Sequence, residues 1–138
     1  MRLRRPPGPA NGLTGLRHAR PLRNDFLSYV QGLRQEHGDI ESLGFRFGNV
    51  AYSCDLKTLP PESAAALGGL DVWIVDALRR TPHPSHFSLT DALGWIEHLA
   101  PRRAILTNMH SDLDYETLRA ELPSNVEPGY DGMSFTVA

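Results

Sequence analysis

From Leu43 to the end of the 138-residue chain, short apolar runs alternate with stretches whose apolar residues recur at helical spacing, which restricts the fold more than any other feature. Leu43-Gly-Phe-Arg-Phe and Val50-Ala-Tyr-Ser-Cys predict two strands joined at Gly48-Asn49, the second running directly into Asp55. Pro60-Pro61-Glu62 opens a short helix that Gly68-Gly69 closes, because proline suits a first helical turn and glycine tolerates the left-handed backbone of a helix end. Val72-Trp-Ile-Val follows as a buried strand. Leu89, Ala92, Leu93, Ile96 and Leu99 give the next helix one apolar face, with Ser88 and Asp91 as an imperfect capping box ahead of it and Pro101 behind it. Ala104-Ile-Leu-Thr predicts another strand and Asn108 to Asp112 a polar loop. Asp114 to Leu122 predicts a helix, and Val126 to Tyr130 with Met133 to Val137 a hairpin turning at Asp131-Gly132. The expected fold is α/β: a mixed sheet within residues 43–138 with flanking helices at about 61–67, 89–99 and 114–122.

The chain before Leu43 lacks that order. Pro6, Pro7, Gly8, Pro9, Asn11, Gly12 and Gly15 break every candidate element as far as about Leu33, except for a short helix over Asp25–Leu33. All six basic residues up to position 23 are arginines and the first acid is Asp25, so residues 24–138 carry 8 of the 14 basic residues against all 16 acids. An arginine-bearing head reads as an RNA-binding arm or as an unstructured leader. It has no aromatic residues to stack on bases and no dense basic block, so the expectation is a leader, with residues 1–30 poorly ordered. The acidic remainder argues against a nucleic-acid partner. Cys54 is the only cysteine, which excludes an intrachain disulfide, and no apolar run approaches the ~20 residues of a membrane-spanning helix. Met1-Arg-Leu-Arg-Arg-Pro-Pro has the charge of a signal n-region but no apolar stretch after it. A cytoplasmic protein without a membrane partner is expected.

Residues able to do chemistry gather where the predicted strands stop. Asp55 follows one strand, Asp76 and then His83 and His86 another, and His110 a third, while His37 precedes the first clear strand. Loops at one edge of an α/β sheet are where sites are built. Imidazole with carboxylate suits zinc, iron or manganese, and the ligands must come from separate strand ends because there is no H-x-x-x-H or C-x-x-C cluster. His83 and Asp76 stand between a site role and an incidental place in a two-proline loop. His98, late on its helix, suits the helix dipole, Trp73 and Trp95 read as core, and Cys54 as a small buried hydrophobe.

The order of these segments resembles the C-terminal half of the metallo-β-lactamase-fold hydrolases, in particular the branch of the phosphoribosyl cyclic phosphodiesterases. The resemblance covers Arg34 to Ala138. It lies in Gln35-Glu-His37-Gly, Leu43 through Asp55, Leu70-Asp-Val-Trp-Ile-Val-Asp-Ala-Leu-Arg and His83-Pro-Ser-His86-Phe-Ser-Leu. It continues through Pro101-Arg-Arg-Ala-Ile-Leu-Thr-Asn-Met-His110-Ser-Asp-Leu-Asp and Tyr130-Asp-Gly-Met. It implies a divalent metal cofactor, zinc or manganese, binuclear in the intact family, that activates water against a small phosphodiester substrate. It makes His37 a ligand of the first metal and Asp55 the bridging carboxylate with a part in catalysis. The last histidine ligand falls in the loop after Thr107, where many relatives place histidine directly but this chain has Asn108, so that His110 is the candidate. His86 matches a histidine that holds substrate phosphate and protonates the leaving group.

The H-x-H-x-D-H motif that supplies four ligands in that family is absent, and residues 1–33 contain only His18. The expectation is therefore the C-terminal half of an αββα sandwich, truncated at the N-terminus. Residues 1–33 form a disordered or non-native leader, 34–138 a partial domain, and one face of the sheet lacks its partner, so stability is marginal. A hydrolytic metal needs about three protein ligands and an open position, whereas this set supplies two to each metal even with Asp55 shared. Two function classes follow: a metal-dependent phosphodiester hydrolase that is inactive as this chain, or a non-catalytic fragment or binding module that keeps the sheet. Homodimerisation is left open.

Overall fold

Among the described residues, six strands lie side by side in chain order: β1 (Val30–His37), β2 (Ile40–Phe47), β3 (Val50–Ser53), β4 (Val72–Asp76), β5 (Arg103–Thr107) and β6 (Val126–Pro128). The computed structural model describes residues 30–136. Three helices connect the later strands: α1 (Pro61–Ala66), α2 (Leu89–Leu99) and α3 (Tyr115–Glu121). β2 and β3 are antiparallel with Phe45 opposite Tyr52, while β3, β4, β5 and β6 run parallel. Each parallel step crosses through one helix and moves in the same direction across the sheet. Right-handed crossovers of that kind put all three helices on one face.

The core lies under those helices. Ala51, Trp73, Val75, Ala104 and Leu106 point to that face and are fully buried with Leu67, Ala92 and Leu118. On the other face Leu43, Phe45 and Tyr52 are exposed. The segment after β6 crosses part of this second face, so that Ile105 is buried beside Tyr130, Met133 and Phe135, and the Arg103 guanidinium lies 5.5 Å from the Phe135 ring centre.

The mixed sheet and its flanking helices appear as expected, and two elements differ from the sequence reading. Val30–Leu33, expected as the end of a helix, begins strand β1, whose inward Leu33 and Gln35 are buried. The described part of the proposed final strand, Met133 to Thr136, is irregular although its turn forms, with Met133 N–H donating to Tyr130 O at 3.0 Å. β6 stops at Pro128, which has no N–H to extend a ladder, and Gly129 N–H goes to Leu106 O at 2.8 Å. The expected disorder of residues 1–30 lies almost wholly outside the described residues. No helix among those described is long and apolar enough to cross a membrane.

The capping box of α2 is complete. Ser88 Oγ accepts from Asp91 N–H at 3.2 Å, and Asp91 Oδ2 accepts from Ser88 N–H at 3.0 Å and from Lys57 Nζ at 3.0 Å. The helix ends at Ala100, which is left-handed with φ 47°, and His98 sits in its last turn as its dipole favours.

Candidate functional site

The ends of β1, β3, β4 and β5 bring their following residues together because parallel strands stop at a common edge. His37 is the last residue of β1 and Asp76 the last of β4. Asp55 and Asn108 leave β3 and β5 through left-handed backbone, φ 52° and 57°, a conformation that short polar Asp and Asn tolerate and branched residues do not. Backbone bonds join the loops beyond these ends: Phe87 N–H donates to Leu56 O at 2.6 Å, Leu78 N–H to Phe87 O at 2.9 Å and His110 N–H to Leu78 O at 2.7 Å. The side chains between them are thereby held in a fixed frame.

His37, Asp55 and His86 each offer one donor atom to a cluster in which all three atoms lie within 4.8 Å of one another. The Nε2 atoms of His37 and His86 are 3.0 Å apart, so one imidazole donates to the other. His86 Nδ1 lies 2.8 Å from Asp76 Oδ2 and 3.9 Å from Asp55 Oδ1. Exposure rises outward along the group: the side chain of Asp76 is 0% exposed, that of His86 14% and that of Asp55 60%. A buried carboxylate must be paired, and Asp76 has three partners. Its Oδ2 accepts from Leu56 N–H at 3.1 Å and from His86 Nδ1–H, and its Oδ1 accepts from Asn108 Nδ2 at 3.1 Å. With its Nδ1 proton on Asp76, His86 turns Nε2 toward His37.

His83 stands beside this group, its ring centre 5.2 Å from that of His86. Burial, the nearby Arg79 guanidinium, and the His86 and His37 rings all lower its pKa, and its Nδ1 accepts from Ser85 N–H at 3.4 Å. Cys54 is half-buried rather than the fully buried residue expected from sequence. Burial pushes its thiol up, and the Tyr52 hydroxyl, bonded to that thiol and partly buried, is pushed up to about 12. A thiol held neutral competes poorly with Asp55 for a cation.

The structure thus brings His37, Asp55 and His86 together and holds Asp76, which the sequence left undecided, directly behind His86. His110 is not in the three-residue cluster: its Nδ1 pairs with Asp112 at 3.0 Å on an exposed loop. Asn108 is turned toward Asp76 and His86. Its sequence signal was an amide where relatives write histidine, but nothing in sequence showed which side chain the amide would meet.

A family model described as the beta-lactamase superfamily domain matches residues 13–109. An octanoyltransferase of Porphyromonas gingivalis is 31% identical over 107 residues, which are 75% of this chain and 22% of that protein. Among solved structures, a new diphosphatase from the PhnP family superposes with a TM-score of 0.77 at 32% identity, covering 79% of this chain and 43% of that one. The short form of human tRNase Z superposes with a TM-score of 0.59 at 16% identity over the same shares, a likeness of fold. The chain spans less than half the length of the proteins it matches.

Proposed function

This chain belongs to the metallo-β-lactamase superfamily, and from that premise we propose that it carries part of the metal-dependent site of a phosphodiester hydrolase, with cyclic phosphate-type diesters as substrates. The reading is carried by the line from buried Asp76 through His86 to His37, with Asp55 alongside. Two imidazoles and a carboxylate are donors that zinc or manganese accepts, and His37 and Asp55 are the residues that would hold the ion. When bound, such an ion lowers the pKa of a water and stabilises charge on the phosphoryl oxygens.

The chain's own part in the reaction is positional. Asp76 accepts the Nδ1 proton of His86 and so fixes which ring nitrogen faces the site. His86 Nε2 is then the nitrogen that meets substrate, and once the ring is protonated on both nitrogens it donates to a phosphate oxygen or gives that proton to the leaving oxygen. Asp55, mostly solvent-exposed, is open to a ligand. His110 enters as a further metal ligand by its motif, but its ring, with Nδ1 paired to Asp112, lies outside the cluster of His37, Asp55 and His86. That separation favours the second reading, a binding module without turnover. The proposed compartment is the cytoplasm.

Donor counting makes the test. The purified chain is expected to hold at most one zinc or manganese ion loosely and to hydrolyse an aryl phosphodiester no faster than its Asp55→Ala variant. Co-expression with a fragment carrying the H-x-H-x-D-H segment of a relative should restore turnover that Asp55→Ala removes. Two tightly held metals and Asp55-dependent turnover by the chain alone would overturn the claim of incompleteness. No turnover in the complemented protein would overturn the hydrolase reading.

A further inference from the structure

We propose that Asn108 is a positioning residue that sets the tautomer of His86 by completing the hydrogen bonding of Asp76. The inference rests on the reading of His86 as the group that meets substrate, and concerns how this chain prepares it.

Three observations support it. Asp76 is fully buried, and each of its carboxylate oxygens needs a donor. Oδ2 has two, Leu56 N–H and His86 Nδ1–H, whereas the one donor to Oδ1 among the described residues is Asn108 Nδ2. The same Nδ2 lies 3.4 Å from His86 Nδ1, and with Nδ1 protonated the two nitrogens are donors that do not bond each other but converge on the Asp76 carboxylate. An amide nitrogen carries only protons. Placed there it is compatible with a carboxylate acceptor, and flipping the amide would set its oxygen against Asp76 Oδ1, acceptor to acceptor. Asn108 is thus locked with its nitrogen inward.

The consequence runs through Asp76. With Oδ1 occupied, the carboxylate keeps Oδ2 directed at His86 Nδ1, the Nδ1–H tautomer is favoured, and Nε2 is left as an acceptor facing His37 Nε2 at 3.0 Å. Without Asn108, the carboxylate is free to rotate its unpaired oxygen toward other donors, and the ring is released to exchange tautomers. The left-handed backbone at 108, φ 57°, explains why the amide is carried by asparagine here, since few side chains both accept that conformation and donate a proton.

The test reads the tautomer, not turnover. In the full 138-residue chain labelled with 15N in its imidazole rings, without added metal and at a pH where the rings are neutral, the His86 shifts should report a protonated Nδ1 and an unprotonated Nε2. Asn108→Asp keeps the shape and the backbone tolerance but sets a second carboxylate against Asp76. Asn108→Gly keeps the backbone tolerance and removes the amide. In Asn108→Gly the ratio of Nδ1–H to Nε2–H should fall roughly tenfold, the effect of one net hydrogen bond near 1.4 kcal/mol, whereas in Asn108→Asp the new carboxylate beside Nδ1 accepts its proton and should keep the Nδ1–H tautomer. Unchanged His86 shifts in folded Asn108→Gly, judged by amide dispersion elsewhere, or loss of the Nδ1–H tautomer in folded Asn108→Asp, would overturn the proposal. Failure of the hydrolase reading would appear only in the turnover of the complemented protein and leaves this result standing.

Discussion

Both faces of the sheet carry large apolar side chains, but they are covered to different extents. Beneath the helices, Trp73, Val75, Ala104 and Leu106 are sealed, while across the sheet Leu43 keeps 62% of its surface and Phe45 and Tyr52 keep 38% each. Neighbouring residues of one strand, Ala51 and Tyr52, fall on opposite sides of this divide. The difference shows that one layer of helices suffices to close one hydrophobic surface of this sheet, and that the side chains of the other face are chosen for contact the described residues only partly supply. The segment carrying Tyr130, Met133 and Phe135 reaches Ile105 but leaves Leu43 and Phe45 open.

The sharpest way to break this contrast is to truncate one aromatic from each face. Trp73 is fully buried and its Nε1–H donates to Ser53 Oγ at 3.1 Å, so Trp73→Ala removes a large packed ring and orphans a buried hydroxyl. A loss of ~3–5 kcal/mol is expected, much of what a domain of this size possesses. Tyr52→Ala on the exposed face should cost less than ~1 kcal/mol. Urea midpoints of the two variants measure the gap, and similar losses would mean the second face is as well covered as the first.

Charge on the exposed face should act on association more than on folding. Leu43→Lys with Phe45→Lys places two cations where apolar surface meets water, and the folded chain should change stability by no more than about 1 kcal/mol. We expect the wild-type chain to self-associate as its concentration rises and the double variant to stay monomeric in sedimentation. A monomeric wild type at the same concentrations would show that a second copy is not what covers this face.

The same contrast explains what the sequence disclosed. Strands β4 and β5, whose inward residues are apolar, were legible, as were β3, with Ala51 and the small Ser53 inward, and the amphipathic helix α2. β1 was not, because its central inward residue is Gln35, a polar side chain whose burial is made possible by Gly44 on the neighbouring strand. A Cβ at Gly44 would lie 2.1 Å from Gln35 Nε2. That fit is a property of two strands in register, and a pattern along one strand does not contain it. In the site, Asp55 was legible as a polar residue at a predicted strand end and His86 as one in the loop after another, whereas His37 was legible by its motif, since the strand it ends was not predicted. Asp76 was ambiguous since a carboxylate at a strand end is buried or exposed according to whether three donors converge on it, and Leu56, His86 and Asn108 come from three different segments. His110 shows the converse: its position in the loop was read correctly, but the left-handed step at Asn108 and the bond to Asp112 decide where its ring goes.

The smallest effect concerns how the helix-covered face is fastened, and its sign can be worked out. Burial alone would raise the pKa of Asp91, but Ser88 N–H, Lys57 Nζ and the Ser88 hydroxyl all donate to its carboxylate, and together they bring it below the ordinary 3.8. A carboxyl whose folded value lies below its unfolded value contributes stability that is fully present above the unfolded value and lost as pH falls through the folded one. The capping box and its tie from Lys57 to α2 therefore weaken from about pH 4 downward, while nothing of this kind holds Leu43 or Phe45. Asp91 is 38% exposed, so solvent screening limits the charged contribution to roughly 0.5 kcal/mol. Asp91→Asn keeps one acceptor for the cap and removes the titration. The variant should be less stable than wild type at neutral pH by about that amount, and the difference should shrink as pH falls below about 4. A difference that stays constant across this range would mean that the side chain's shape, and not its charge, fastens the helix to the sheet.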